Sequence, residues 1–154
     1  MRKTITHRLP FPLIAFVLGF MATVASGAEW RTDYEKALAG AKSSNKCVLI
    51  DFNGSDWCGP CIEMKKVVFS KPAFSSYADK NLVLLDIDYP QRKVLPEKLT
   101  AQNKRLEKQY GIDKSGYPTV FLLDPSGKIL GHLEGYGGQS SADMIAWIEK
   151  LRKR

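Results

Sequence analysis

The stretch Cys47-Val48-Leu49-Ile50-Asp51-Phe52-Asn53-Gly54-Ser55-Asp56-Trp57-Cys58-Gly59-Pro60-Cys61 decides how this chain is read. Cys47 to Phe52 is a short apolar run with β-branched members, which predicts a buried strand. Asn53 to Asp56 is a turn cluster, and Ile62 to Phe69 reads as helical. The two cysteines therefore fall where a helix begins. There the first sulfur lies beside unpaired backbone N–H groups and the positive end of the helix dipole, and both favour a thiolate. A free thiol is only about 3% ionised at pH 7, and lowering its pKa to about 7 makes roughly half of it reactive. Cys58, expected nearer the solvent edge, is the candidate attacking thiol. Cys61, one helical turn in, is the candidate that resolves the mixed disulfide. Pro60 fixes the turn at a position where helices accept proline.

Other uses of a Cys-x-x-Cys pair have to be set beside this one. A zinc site needs two more ligands, and the chain offers only Cys47, His7 and His132. A covalent haem site needs a histidine after the second cysteine, where Ile62 stands. A permanent structural disulfide remains open, although so short a ring removes little unfolded-state entropy. The redox reading is preferred, with no metal and no cofactor beyond the Cys58–Cys61 disulfide.

Working outward, Asp33 to Lys42 has helical spacing, and Leu82 to Ile87 reads as a second buried strand. Pro96 to Tyr110 is a charged helix, Gly111 to Gly116 a loop, and Thr119 to Leu123 a third strand. Asp124-Pro125-Ser126-Gly127 is a turn into a fourth strand, Lys128 to Leu133. Ser140 to Leu151 is a closing helix capped by Ser140 or Ser141. The order α-β-α-β-α-β-β-α implies an α/β fold with a parallel unit first and an antiparallel hairpin at one edge. Helices must cover both faces, because the strands are continuously apolar.

With 154 residues, 44% of them hydrophobic and 25% charged, the chain reads as one ordinary globular domain. The formal net charge is +7. Arg2, Lys3 and Arg8 lie in an acid-free leader, and without them 20 basic residues face 16 acidic ones. A balance of this size speaks to solubility rather than to a nucleic-acid partner. Lys150, Arg152, Lys153 and Arg154 read as a solvated helix end. Residues 1–28 have the layout of a secretory signal peptide: a basic start, an apolar run over Leu9 to Val24, then Ala25-Ser26-Gly27-Ala28. Retention as a membrane anchor is the alternative, although the run is short for a span and Pro10 and Pro12 interrupt its start. Either way, residues 29–154 are expected to face an oxidising compartment such as a periplasm.

At these residues the chain resembles the thioredoxin superfamily. Trp57-Cys58-Gly59-Pro60-Cys61 is that family's active-site pentapeptide, and Tyr117-Pro118-Thr119 is similar to its cis-proline segment. Gly54-Ser55-Asp56-Trp57-Cys58, with Val68-Phe69-Ser70 downstream, resembles the exported bacterial branch that includes the C-terminal domain of DsbD. The resemblance implies a thioredoxin fold, a central mixed sheet of four to five strands with helices on both faces. It implies that Pro118 is cis and faces the dithiol, that Tyr117, Pro118 and Thr119 meet an extended substrate segment, and that Trp57, Gly59 and Pro60 support the cysteines; an ordinary trans Pro118 at the start of an edge strand is the alternative. Asp51 matches the family's buried acid, which takes the proton of the resolving thiol; an exposed strand-end aspartate is the alternative. Two departures bear on that role: one extra residue separates Asp51 from Cys58, and Leu84 is taken to occupy the strand position where thioredoxin often has a buried lysine.

Three functions follow from this reading. The first is a reductant of protein disulfides that draws electrons from a membrane relay and acts as a monomer. The second is an oxidant or isomerase, whose relatives often carry a histidine between the cysteines and an inserted domain. The third is a binding or chaperone module with an incidental dithiol. Cys47, the odd cysteine, reads as a small core residue or a regulatory thiol. Trp30 and Trp147 read as packing residues, and His132 as structural or exposed.

Overall fold

The computed structural model describes residues 28–153. The leader assigned to residues 1–28 lies outside the described residues, apart from Ala28. Five strands form one sheet in the order β1-β3-β2-β4-β5: β1 Trp30–Arg31, β2 Cys47–Asn53, β3 Leu82–Asp88, β4 Thr119–Leu123 and β5 Ile129–Glu134. β3 runs parallel to both β1 and β2, while β4 is antiparallel to β2 and to β5. This is the expected mixed thioredoxin-type sheet, with its parallel unit first and its antiparallel hairpin at one edge.

All seven residues of β2 are buried, as its uninterrupted apolar run requires of a central strand. One face packs on α1 (Tyr34–Ser44) and α4 (Glu97–Tyr110), through Tyr34, Ala37, Ala41 and Leu106. The other packs on α2 (Gly59–Met64), α3 (Pro72–Asn81) and α6 (Ser141–Arg152), through Met64, Phe74, Ala78, Met144 and Ile148. Asp33 caps α1 by accepting from the Lys36 N–H. Ser140 and Asp143 form a reciprocal capping box on α6.

Several elements differ from the sequence-based expectation. α3 was not expected, although Pro72 sits in its first turn and Phe74, Tyr77 and Ala78 have helical spacing. The remaining positions of that helix are mostly small or polar, which hides the pattern. β1 has only two residues, too few to leave a period. The Gly111–Gly116 loop contains a helical turn, α5, Ile112–Ser115. The helix after the dithiol starts at Gly59 and passes into a π-helical segment, Lys65–Phe69, with the Ser70 N–H donating to the Lys65 carbonyl at 2.8 Å. The extra residue in that turn lets adjacent Val68 and Phe69 both reach the core.

The side of the sheet beneath the dithiol helix depends on Phe74, which is fully buried and tilts against Phe69 with ring centroids 5.1 Å apart. Phe74→Ala is expected to cost about 3–5 kcal/mol in urea denaturation with the disulfide intact. A loss below about 1 kcal/mol would mean that α3 is not part of the main core.

Candidate active site

Cys58 and Cys61 form a disulfide, with Cα atoms 5.3 Å apart. Cys58 is the N-cap of α2, and its Sγ accepts from the Cys61 backbone N–H at 3.3 Å. That donor is one of the orphan N–H groups of the helix start, directed at the sulfur that carries charge once the pair is reduced. Cys58 was expected nearer the solvent edge, but in the oxidised protein the two cysteines are 5% and 4% exposed. What separates them is position: Cys58 caps the helix beside exposed Gly59 and Pro60, while Cys61 faces the core. Cys47 is free and buried at the head of β2, and burial raises its thiol pKa.

The loop after β3 clamps the turn before the dithiol. The Ser55 N–H and hydroxyl donate to the two carboxylate oxygens of Asp88, at 2.8 and 2.6 Å. The Gln91 and Arg92 N–H groups donate to the carboxylate of Asp56 at 2.9 and 2.8 Å, which lowers its pKa. The Trp57 indole N–H donates to the Tyr89 carbonyl at 2.7 Å. Gly54 is required here, because a Cβ at that position would collide with the Trp57 indole. Trp57 is 39% exposed beside the disulfide.

Trp57 also meets the cis-proline segment. Its ring is edge-on to Tyr117 with centroids 5.6 Å apart, and Tyr117 packs on Tyr89 at 5.1 Å. The Tyr117 hydroxyl donates to Glu107 at 3.1 Å. The Tyr117–Pro118 peptide is cis, Pro118 is buried, and its carbonyl accepts from the Gly135 N–H at 2.8 Å. Thr119 is fully buried and its hydroxyl donates to the Gly116 carbonyl at 2.8 Å. Its side chain thus braces the turn beneath the cis-proline segment. A cleft of about 460 Å³ adjoins this group, lined by Tyr89, Val94, Leu95, Asn103 and Glu107 among others.

Asp51 is 6% exposed and lies one residue pair along β2 from Leu49, on the sheet face covered by α2. Among the described residues no group hydrogen-bonds its Oδ1. Burial is the main reason that its pKa is pushed up to about 8; the neighbouring Asp86 carboxyl adds to the rise and Lys65 opposes it. The exposed strand-end alternative is therefore excluded. Leu84 registers with Leu49, one residue pair from Asp51, and Asp86 registers with Asp51 itself. The sequence reading missed Asp86, Asp88, Asp56 and Tyr89 as parts of the site. Asp86 and Asp88 alternate at the end of a strand, the one signal that places both on one face.

With the fold and this geometry established, the comparisons are decisive about kinship: the chain belongs to the thioredoxin-like family, which it matches over residues 29–125. A relative from Chlamydia pneumoniae, disulfide bond reductase DsbH, is 31% identical over 83% of this chain and 76% of its own length. A solved DsbH oxidoreductase superposes with a TM-score of 0.74 at 28% identity, covering 83% of this chain and 86% of that one. The C-terminal domain of Neisseria meningitidis DsbD shares the fold, with a TM-score of 0.56 at 23% identity, over 80% of this chain and all of that domain.

A raised carboxyl pKa ties stability to pH. The folded protein holds the Asp51 proton to about pH 8, whereas the unfolded chain releases it at about pH 4. The native state therefore binds more protons across that window, and stability falls as pH rises through it. Between pH 5 and pH 8 the oxidised protein is expected to lose on the order of 1 kcal/mol per pH unit, with a markedly flatter dependence in Asp51→Asn. Urea titrations at the two pH values measure this, and equal slopes in both proteins would contradict the burial of an ionisable Asp51.

Proposed function

We propose that this chain is an exported protein-disulfide reductase, working as a monomer through the Cys58/Cys61 dithiol with no other cofactor. The broader assignment, a thiol–disulfide oxidoreductase, is supported by the disulfide at the head of α2 and by the DsbH relatives. The observation that carries the reading is the disulfide capping a helix above a buried acid. The reducing direction draws on Gly59-Pro60 between the cysteines and on the likeness to the disulfide bond reductase DsbH.

In the forward cycle the Cys58 thiolate attacks one sulfur of a substrate disulfide. The substrate bond breaks, one substrate sulfur leaves as a thiolate and takes a proton, and a Cys58–substrate mixed disulfide forms. Cys61 gives its proton to ionised Asp51 and attacks Cys58 Sγ. The second substrate thiolate leaves, and the Cys58–Cys61 bond closes. Two electrons have passed from the dithiol to the substrate. Trp57 and Tyr117 frame the reacting sulfurs, and the backbone at Tyr117 and Pro118 receives an extended substrate segment. Thr119 supports that segment from below. A membrane electron relay regenerates the dithiol, consistent with the leader at residues 1–28 and a periplasmic location. No helix among the described residues is long and apolar enough to cross a membrane.

Insulin reduction is expected to be abolished in Cys58→Ser and retained in Cys47→Ser. Cys61→Ser is expected to accumulate a mixed disulfide with substrate, visible as a reducible mass adduct on non-reducing gels. Full activity in Cys58→Ser would refute the enzyme reading in favour of a binding module. Equal loss in Cys47→Ser would refute the assignment of roles.

A further inference from the structure

The mechanism uses Asp51 but leaves the neighbouring acid unexplained. Asp86 stands beside Asp51 in the β2–β3 register, on the same side of the sheet. It is fixed there: the Asn53 Nδ2 group donates to Asp86 Oδ1 at 2.6 Å, and also to the Asp51 carbonyl at 3.3 Å. One residue pair further along, Asp88 is held by Ser55. The strand on the other side of Asp51 brings Val120 into register, with no charge. Lys65, exposed in the π-helical segment, faces the pair, and exposed Lys93 in the loop after β3 also acts on Asp86. Asp51 is thus flanked by two anchored acids on β3, with solvent-exposed Lys65 across from them and Lys93 acting on Asp86 from the loop after β3.

We propose that Asp86 is a positioning residue for proton transfer at Cys61: anchored by Asn53, its carboxylate keeps the proton on Asp51 while the disulfide is closed. Anchoring decides which acid keeps the proton. Asp86 accepts a hydrogen bond from an amide and so favours its anion, whereas Asp51 Oδ1 has no donor among the described residues. Burial raises the pKa of both groups, and Asp86 follows burial as the cause acting on Asp51.

The consequence concerns recharging by a dithiol donor. One donor thiolate bonds to Cys58 Sγ as the Cys58–Cys61 bond breaks. The electron pair stays on Cys61 Sγ, and the Asp51 proton moves to it, directly or through one water. The second donor thiolate then attacks the donor sulfur of the mixed disulfide and releases Cys58 as a thiolate. The donor leaves as a disulfide. A protonated Asp51 thus supplies the proton at the step where Cys61 would otherwise leave as a buried anion.

The test follows the side-chain carboxyl resonances of Asp51 and Asp86 in ¹³C-labelled oxidised protein from pH 4 to pH 10. In the native chain Asp86 is expected to ionise first. Asp86→Asn is expected to lower the Asp51 midpoint by about one pH unit or more, and Lys65→Met to raise it. The rate of disulfide opening by dithiothreitol, corrected for the donor's thiolate fraction, should decline at correspondingly lower pH in Asp86→Asn. If Asp51 ionises before Asp86, or if its midpoint in Asp86→Asn stays within about 0.3 unit of native, the inference is overturned. Should Asp86→Asn not fold, the order of ionisation in the native chain decides alone. The inference rests on the thiol–disulfide reading only for its consequence. Loss of the insulin assay with the expected carboxyl order removes the reductase reading alone, and a reversed order with normal activity removes this inference alone.

Discussion

The burial of β2 on both faces is the constraint from which the rest of this structure follows. A strand covered from each side can carry a carboxyl only where it is needed or paired, because an isolated charge in such a place is costly. Asp51 stands in that strand with one oxygen that no described residue hydrogen-bonds. The strand ends below the helix that starts at the disulfide, so the sheet, the helix and the acid are set by one piece of chain. In the proposed mechanism, the same burial that raises the pKa of Asp51 suits it to hold a proton for a sulfur that must be charged during exchange and neutral afterwards.

The surroundings convert this placement into a site. The turn before the dithiol is not slack, because Asp88 and Asp56 hold it through Ser55 and through the Gln91 and Arg92 N–H groups. Trp57 is fixed at one end by the Tyr89 carbonyl and packs at the other on Tyr117. Two loops that are distant in sequence, the dithiol turn and the cis-proline segment, are therefore joined by aromatic contact. A change in the loop after β3 reaches the dithiol through Tyr89 and Asp56 without touching either sulfur.

Much of this was legible in the sequence, and the gaps have physical reasons. Continuous apolar runs marked β2, β3 and β4, because a strand buried on both faces allows little else. The cysteines and Tyr117-Pro118 were legible because their chemistry depends on residue type. α3 escaped because its small and polar positions blur the 3.6-residue period around Phe74 and Tyr77. Asp86 as the register partner of Asp51 was not legible because register is a long-range property that nothing local in β3 announces. The bracing of the Gly116 turn by the Thr119 hydroxyl was not legible, because it depends on how that turn folds back beneath the strand. The exposure of Cys58 was inferred from its place in the helix, which does not report how the disulfide seats between loops.

The central claim is that this buried-acid, helix-capping dithiol is poised to give electrons. The equilibrium of the Cys58–Cys61 couple with reduced and oxidised glutathione tests it most directly. The account predicts a reducing couple, nearer the thioredoxin value of about −270 mV. A potential near that of a strong oxidant, about −120 mV, would contradict it.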